Sequence, residues 1–210
     1  MRCFVAFELT DSAREEIFSR MDRLRQVAEE VLGADGIHRE WRPVRRENGH
    51  VTLLFFPGLT APQRHAVWKQ VEESVRQGVW RGLTFSWRGF SLWPSARRPN
   101  LICLEADPYP LEERWPLTQW VSQPPFCGPD GLPLADVRHL NPFRPHITLV
   151  RFRGQGGRNV AAVWPEWMAR IPPLDPVRIA VDRVAMMLSD LTPDKPAYTR
   201  EYSMSMVGDE

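Results

Sequence analysis

Lysine is almost missing from this chain. Only Lys69 and Lys195 stand among 27 basic side chains; the others are arginines. Genome base composition accounts for most of such a bias, yet the scarcity still excludes chemistry that depends on a lysine. Cysteine is sparse too. Cys3, Cys103 and Cys127 are scattered, odd in number and without Cys-x-x-Cys spacing, which argues against a disulfide framework and against a zinc site. There is no long apolar run and no signal-peptide core. Neither a membrane span nor secretion is therefore expected, and the cytoplasm is the expected compartment. Neither sign of charge is in excess: 27 basic residues face 26 acidic ones, for a net charge of +1. A protein that clamps long duplex nucleic acid is usually more basic, whereas a small or single-ended substrate needs no broad basic face.

What is present is an ordinary globular composition, 43% apolar and 25% charged, over 210 residues. That length can bury a real core. The opening RCFVAFEL reads as a buried strand. An amphipathic helix follows. Ser12 and Glu15 have capping-box spacing, Ala13, Ile17, Met21, Leu24, Ala28 and Val31 form its stripe, and Gly33 is its C-cap. A second helix opens at Thr60, Pro62 and Gln63, carries Val67, Val71 and Val75, and ends near Gly78. LTFSWRGFSLW places Leu83, Phe85 and Trp87 on one strand face, then switches to Phe90 and Leu92 after Gly89, the mark of a bulge. LICLEA returns as the next strand.

The second half is less regular. LEERWPLTQWV reads as a helix interrupted at Pro116, and Pro124 to Pro142 as a long Pro- and Gly-rich loop. A short helix is expected around Val160 to Met168, a long strand with a bulge near Asp182 in VRIAVDRVAMML, and a closing strand in YTREYSMSM. Strands adjoin one another more often than they alternate with helices. The fold class expected is α+β with mostly antiparallel sheets, in a single domain over residues 1–210.

One phrase occurs twice. His50 to Leu53 spell HVTL, and His146 to Leu149 spell HITL, both inside apolar, β-branched or aromatic runs. On a strand, side chains alternate between faces. His50 and Thr52 therefore share one face, with Val51 and Leu53 on the other, and His146 and Thr148 do the same. A polar pair on a buried strand is costly unless it is hydrogen-bonded or faces a cleft. A single His-x-Thr is mundane; two copies, one in each half, are not. If a pseudo-twofold axis relates the halves, the pairs converge from two lobes on a central cleft. Two facing imidazoles, which titrate near neutrality, then supply an acid and a base to opposite sides of one atom. Two threonine hydroxyls hold the oxygens of a phosphate between them.

These pieces resemble the two-histidine phosphoesterase superfamily, in its RNA 2',3'-cyclic phosphodiesterase branch, also called 2'-5' RNA ligase. The matching segments are RCFVAFEL, REWRPVRRENGHVTLLFF, FSLWPSARRPNLICLEA, FRPHITLVRF and VDRVAMMLSD with YTREYSM, in order and over nearly the whole chain. The resemblance implies roles. His50 is the general acid on the departing ribose 3' oxygen, and His146 is the general base on water. Thr52 and Thr148 bind phosphate oxygens, and Arg151, five residues after His146, contacts the phosphate. Strict alternation objects to the last, since it puts Arg151 on the face opposite His146. The partners implied are RNA ends bearing 2',3'-cyclic phosphate, or small cyclic nucleotides. No metal, no cofactor and no membrane is implied, and a monomer is expected. Such a site acts by hydrolysis to a 2'-phosphomonoester and joins ends, if at all, without ATP.

An ATP-dependent ligase needs a lysine nucleophile. Lys69 is followed by Gln-Val-Glu and Lys195 by Pro-Ala-Tyr, so neither has the K-x-D-G setting. A non-catalytic binder of RNA ends or small nucleotides is the alternative, and the two complete motifs argue against it. His38, His65 and His139 lack a motif. Arg45, Arg46, Arg97 and Arg98 read first as solvated surface, although arginine suits phosphate. The GQGG stretch before Arg158 lacks the Gly-Lys-Ser/Thr of a P-loop and reads as a flexible turn. The nine tryptophans are mostly core candidates, with one or two free to stack on a base at the cleft.

Overall fold

The computed structural model describes residues 1–33, 41–109, 144–171, 178–190 and 197–206. Within them run β1 (Cys3–Leu9), α1 (Asp11–Leu32), β2 (Trp41–Pro43), β3 (His50–Phe56), α2 (Ala61–Arg76), β4 (Thr84–Trp93), β5 (Leu101–Tyr109), β6 (His146–Phe152), α3 (Gly156–Arg170), β7 (Arg178–Asp190) and β8 (Ala197–Ser205). Every pairing between these strands is antiparallel, as the α+β reading requires. The order is β2-β6-β5-β4-β7-β1-β3, with β8 also on β7. Strand β7 joins two lobes. Its first three residues pair with β4, while Val181 to Leu188 pair with β1 and Arg183 to Asp190 with β8. The change of partner falls between Ala180 and Val181, and the ladder with β1 then skips Asp182, at the expected bulge. Although β3 and β6 are far apart in the sheet order, they come close in space. That convergence is what the repeated motif requires.

The core follows from the patterns. All seven residues of β1 are buried, because it lies between β3 and β7 with both faces covered. On α1, Ile17, Phe18, Leu24 and Ala28 are fully buried. Burying a side chain the size of Ile17 or Leu24 contributes about 1.5–3 kcal/mol. The cap lies two residues before the expected one: Thr10, not Ser12, accepts from the Ala13 N–H. Thr10 leaves the strand in extended conformation, so its hydroxyl, not that of Ser12, reaches the first free N–H groups. The capping box at Thr60 and Gln63 is present as expected, with Pro62 in the first turn. The bulge at Gly89 is present too: Arg88 is skipped between Trp87 and Gly89. Helix α2 is tied to β8 by a buried ion pair. Arg64 donates through Nε to Glu201 Oε2 at 2.6 Å and through Nη2 to Oε1 at 2.7 Å, and its Nη1 reaches the Leu59 carbonyl.

The GQGG reading needs correction. Gly154 and Gln155 do form a turn, but Gly156 and Gly157 belong to the first turn of α3. A Cβ on Gly157 would sit 1.9 Å from the Pro99 carbonyl oxygen, so only glycine lets the helix start approach that backbone. The helix expected in LEERWPLTQWV and the Pro124–Pro142 loop lie outside the described residues, as do His38, His139 and Cys127.

Candidate active site

Each histidine is the first residue of its strand, and each turns back on its own chain. The Nδ1 of His50 lies 2.7 Å from the Asn48 carbonyl, and that of His146 lies 2.9 Å from the Arg144 carbonyl. A carbonyl only accepts, so Nδ1 carries the proton in both rings and Nε2 is left as the lone-pair nitrogen. The offset of two residues is the same in both lobes. Before His50 the approach depends on Gly49. A Cβ there would meet the Phe18 ring of α1 at 2.9 Å, so glycine lets the short helical turn Arg46–Asn48 lie against α1.

The two strands also share a bulge. In β3 the ladder with β1 passes from Thr52 to Leu54 and skips Leu53. In β6 the ladder with β5 passes from Thr148 to Val150 and skips Leu149. Both skipped residues and their successors are buried. The extra residue flips the parity, and this removes the objection to Arg151, which returns to the face of His146 and Thr148. Its charge disfavours a proton on both His50 and His146, which places it near both rings. At the corresponding position of the first lobe stands Phe55, with the Arg2 guanidinium 4.6 Å above its ring.

The sequence reading missed the groups around these rings. Across β1–β3, Glu8 stands opposite His50 and Ala6 opposite Thr52. Across β5–β6, Glu105 stands opposite His146 and Cys103 opposite Thr148. The His50 ring stacks on Phe4 with centroids 4.7 Å apart, and Tyr198 meets it edge-on at 5.6 Å. The His146 ring stacks on Trp93 at 4.2 Å. Trp93 Nε1 donates to Glu105 Oε1 at 3.1 Å; Arg144 Nη2 donates to the same oxygen at 2.6 Å and lies over the Trp93 ring. So the cleft tryptophan is occupied by the histidine itself. The signal for part of this was available: alternation along RCFVAFEL places Phe4, Ala6 and Glu8 on one face. The cross-strand register that brings this face to His50 was not.

Burial controls the proton affinity of both imidazoles. Loss of hydration lowers His50 to about 4; its bond to the Asn48 carbonyl opposes this, and the charges of His146 and Arg151 add to it. His146 is lowered for the same first reason, while its bond to the Arg144 carbonyl and the Glu105 carboxylate oppose the shift. Burial likewise raises the Cys103 thiol to about 12. The neutral thiol lies 3.9 Å from Thr148 Oγ1 as a weak donor, which leaves the hydroxyl hydrogen free for a ligand.

The arrangement has parts that suit an anion: two lone-pair nitrogens, two hydroxyls and the Arg151 cation. Among the described residues, no three His, Cys, Asp or Glu side chains cluster as a metal would need. Other candidates lie elsewhere. His65 is exposed on α2 near Tyr202. Arg46 is engaged by Glu15 at 2.9 Å and Asp22 at 3.1 Å, and Arg45 lies 3.7 Å from Glu47. Arg97 and Arg98 are exposed in the turn after β4. Trp41, Trp68, Trp80, Trp87 and Trp167 are core residues. No described helix is long and apolar enough to cross a membrane.

No protein-family model matches the chain, and no curated protein matches it. Solved structures do. TT0787 of Thermus thermophilus is 22% identical, with a TM-score of 0.62 and full coverage of both chains. E. coli LigT in complex with ATP is 18% identical, with a TM-score of 0.57, over 99% of this chain and 98% of its own. Usb1 of Kluyveromyces marxianus is 15% identical, with a TM-score of 0.50, over 88% of this chain and 92% of its own. At such identities the likeness is one of fold. The chain has the fold of LigT and Usb1, members of the two-histidine phosphoesterase superfamily, over nearly its whole length.

Proposed function

We propose that this protein belongs to that superfamily and is an RNA 2',3'-cyclic phosphodiesterase that opens the ring to a 2'-phosphomonoester without a metal. The observation that carries the reading is the pair of His-x-Thr strands, alike in bulge and Nδ1 bond, which come close to each other in space. Thr52, Thr148 and Arg151 hold the phosphate oxygens. His146 Nε2 takes a proton from water as the water oxygen bonds to phosphorus. The bond from phosphorus to the 3' oxygen breaks in line, and His50 gives that oxygen its proton. The phosphate stays on the 2' oxygen. With a 5' hydroxyl in place of water, the same displacement joins two ends through a 2'–5' linkage and needs no ATP.

His50 must hold a proton in this scheme, and at rest it is lowered to about 4. The substrate phosphate brings a negative charge beside it, and an anion within a few ångströms favours the imidazolium. In the reading proposed, proton and substrate enter together. E. coli LigT is also known in complex with 3'-AMP, a nucleotide of the same size class as the proposed small substrates. The test is to incubate the protein with an RNA ending in 2',3'-cyclic phosphate and identify the product end. A 2'-phosphate with a free 3' hydroxyl is expected. A 3'-phosphate would exchange the roles of His50 and His146, and an intact ring would make the protein a binder.

A further inference from the structure

One carboxylate on β5 ties together both groups that hold His146. Glu105 stands opposite His146 across β5–β6, so the two side chains share a face of the sheet. Its Oε1 accepts from Trp93 Nε1 at 3.1 Å and from Arg144 Nη2 at 2.6 Å. Trp93 is the ring on which His146 stacks. Arg144 supplies the carbonyl that takes the Nδ1 proton of His146, and its guanidinium lies 4.6 Å above the Trp93 ring. Side chains from β4, β5, β6 and the residue two before β6 thus close one circuit.

The circuit does two things to the ring. The indole against one face and the carbonyl at Nδ1 fix its plane and its tautomer. The surroundings also favour a positive charge on it. A protonated imidazole over an aromatic face gains a cation–π attraction, larger on tryptophan than on phenylalanine. The Glu105 side chain is 23% exposed, so water screens its charge only in part. Glu105 favours a proton on His146, while the cations of Arg144 and Arg151 oppose it; the charge of His146 acts in turn on His50.

The first lobe has the frame without the circuit. Glu8 stands opposite His50 as Glu105 stands opposite His146. Phe4, against the His50 ring, has no side-chain N–H to give a carboxylate. Glu8 Oε1 accepts instead from Arg200 Nε at 3.2 Å and Nη2 at 2.7 Å, and both residues line the open cleft beside His50. Of the two rings, the supported one is the one that gains a proton from water in the proposed reaction.

We propose that Glu105 is a positioning residue for the base: through Trp93 and Arg144 it fixes the His146 ring, and its charge stabilises the imidazolium formed when that ring takes a proton from water. The inference rests on the cyclic phosphodiesterase reading for the base role of His146. A base is stronger the better its protonated form is stabilised, and a carboxylate beside an imidazole does this without itself taking the proton.

The test follows the ring before the rate. The His146 imidazole is titrated by NMR in the protein without substrate, its signals assigned by their loss in His146→Asn. Glu105→Gln keeps an oxygen for Trp93 and Arg144 but removes the charge, and should lower the midpoint by about half a pH unit or more. Arg144→Met removes the opposing cation and should raise it by a similar amount. Loosened packing would wet the ring and raise both midpoints, so opposite signs exclude it. Glu105→Asp keeps the charge and should return the midpoint toward that of the unmodified protein. At about pH 8, above the ordinary histidine range, Glu105→Gln should lower kcat for a 2',3'-cyclic nucleotide by about three- to tenfold with little change in KM, as a weaker base would. Midpoints that stay in place or move together overturn the inference, and so does an unchanged kcat. If the unmodified protein leaves the cyclic phosphate closed while the midpoints separate as expected, the hold of Glu105 on His146 stands and the phosphodiesterase reading falls.

Discussion

Replacing His50 with asparagine should make the protein less sensitive to acid. In the folded chain the imidazole is lowered from 6.5 to about 4. Between those values the unfolded chain binds a proton that the folded chain refuses, so stability rises with pH across the window. The contribution is complete above about pH 6.5 and is lost as pH falls toward 4. For a group at 6.5 unfolded and about 4 folded, the loss at pH 5 is RT ln[(1 + 10^1.5)/(1 + 10^−1)], or about 2 kcal/mol. His50→Asn does not titrate and should lack this loss. Groups that do not act on His50 contribute to both proteins alike. Urea unfolding at about pH 8 and about pH 5 therefore measures the effect as a difference of differences. Excess inorganic phosphate should shrink the loss in the unmodified protein, because an anion at the cleft restores proton affinity to the ring. An identical pH dependence in protein and variant would mean that His50 is not held neutral, and the electrostatics described above would fail.

The remaining predictions concern activity and packing. His50→Ala and His146→Ala should each lower turnover of the cyclic phosphate by roughly 10²- to 10⁴-fold with circular dichroism unchanged, and the double variant should lose less than the product of the two. Arg151→Met should raise KM and move the acidic limb of the pH–rate profile upward, since the cation that disfavours a proton on both rings is gone. Exhaustive EDTA treatment should leave the rate unchanged; loss of rate with recovery on adding a metal would refute the metal-free scheme. Glu201→Ala, which strands the buried Arg64, should cost about 3–5 kcal/mol in urea unfolding, against well under 1 kcal/mol for removing an exposed partner such as Glu166.

Local features of the chain were legible where local physics decides them. The Thr60 capping box, the glycine after α1, and the bulges at Gly89 and Asp182 all follow from spacing and parity within one segment. The cap of α1 was misplaced by two residues because Thr10 and Ser12 both carry hydroxyls, and only the exit angle of β1 selects between them. Leu149 shows the limit of alternation. Nothing in HITLVRF distinguishes a bulge from a continuous strand, since Leu149 and Val150 are equally suited to the core. What decides is the register against β5, a non-local quantity, and with it the face on which Arg151 emerges. Glu8 and Glu105 were invisible for the same reason: each becomes a neighbour of a histidine only through pairing with a strand about forty residues distant.

In the reading proposed, the same register argument bears on how so symmetrical a skeleton runs a directional reaction. Backbone bonds and bulges are duplicated, so the two Nε2 atoms and two hydroxyls are placed alike. The neighbours are not duplicated. His146 has Glu105 acting on its charge and a tryptophan under its ring, whereas the charges that act on His50 are those of His146 and Arg151, and its ring stacks on a phenylalanine. Glu8 is drawn instead toward Arg200 and the open cleft. An acid and a base must differ in proton affinity, and two identical sites cannot supply that difference. The repeat sets the positions, and the unrepeated side chains on β1, β4, β5 and β8 give the two rings different surroundings; of these the Glu105 carboxylate favours a proton on His146, so in the reading proposed it is the substrate phosphate that must bring one to His50.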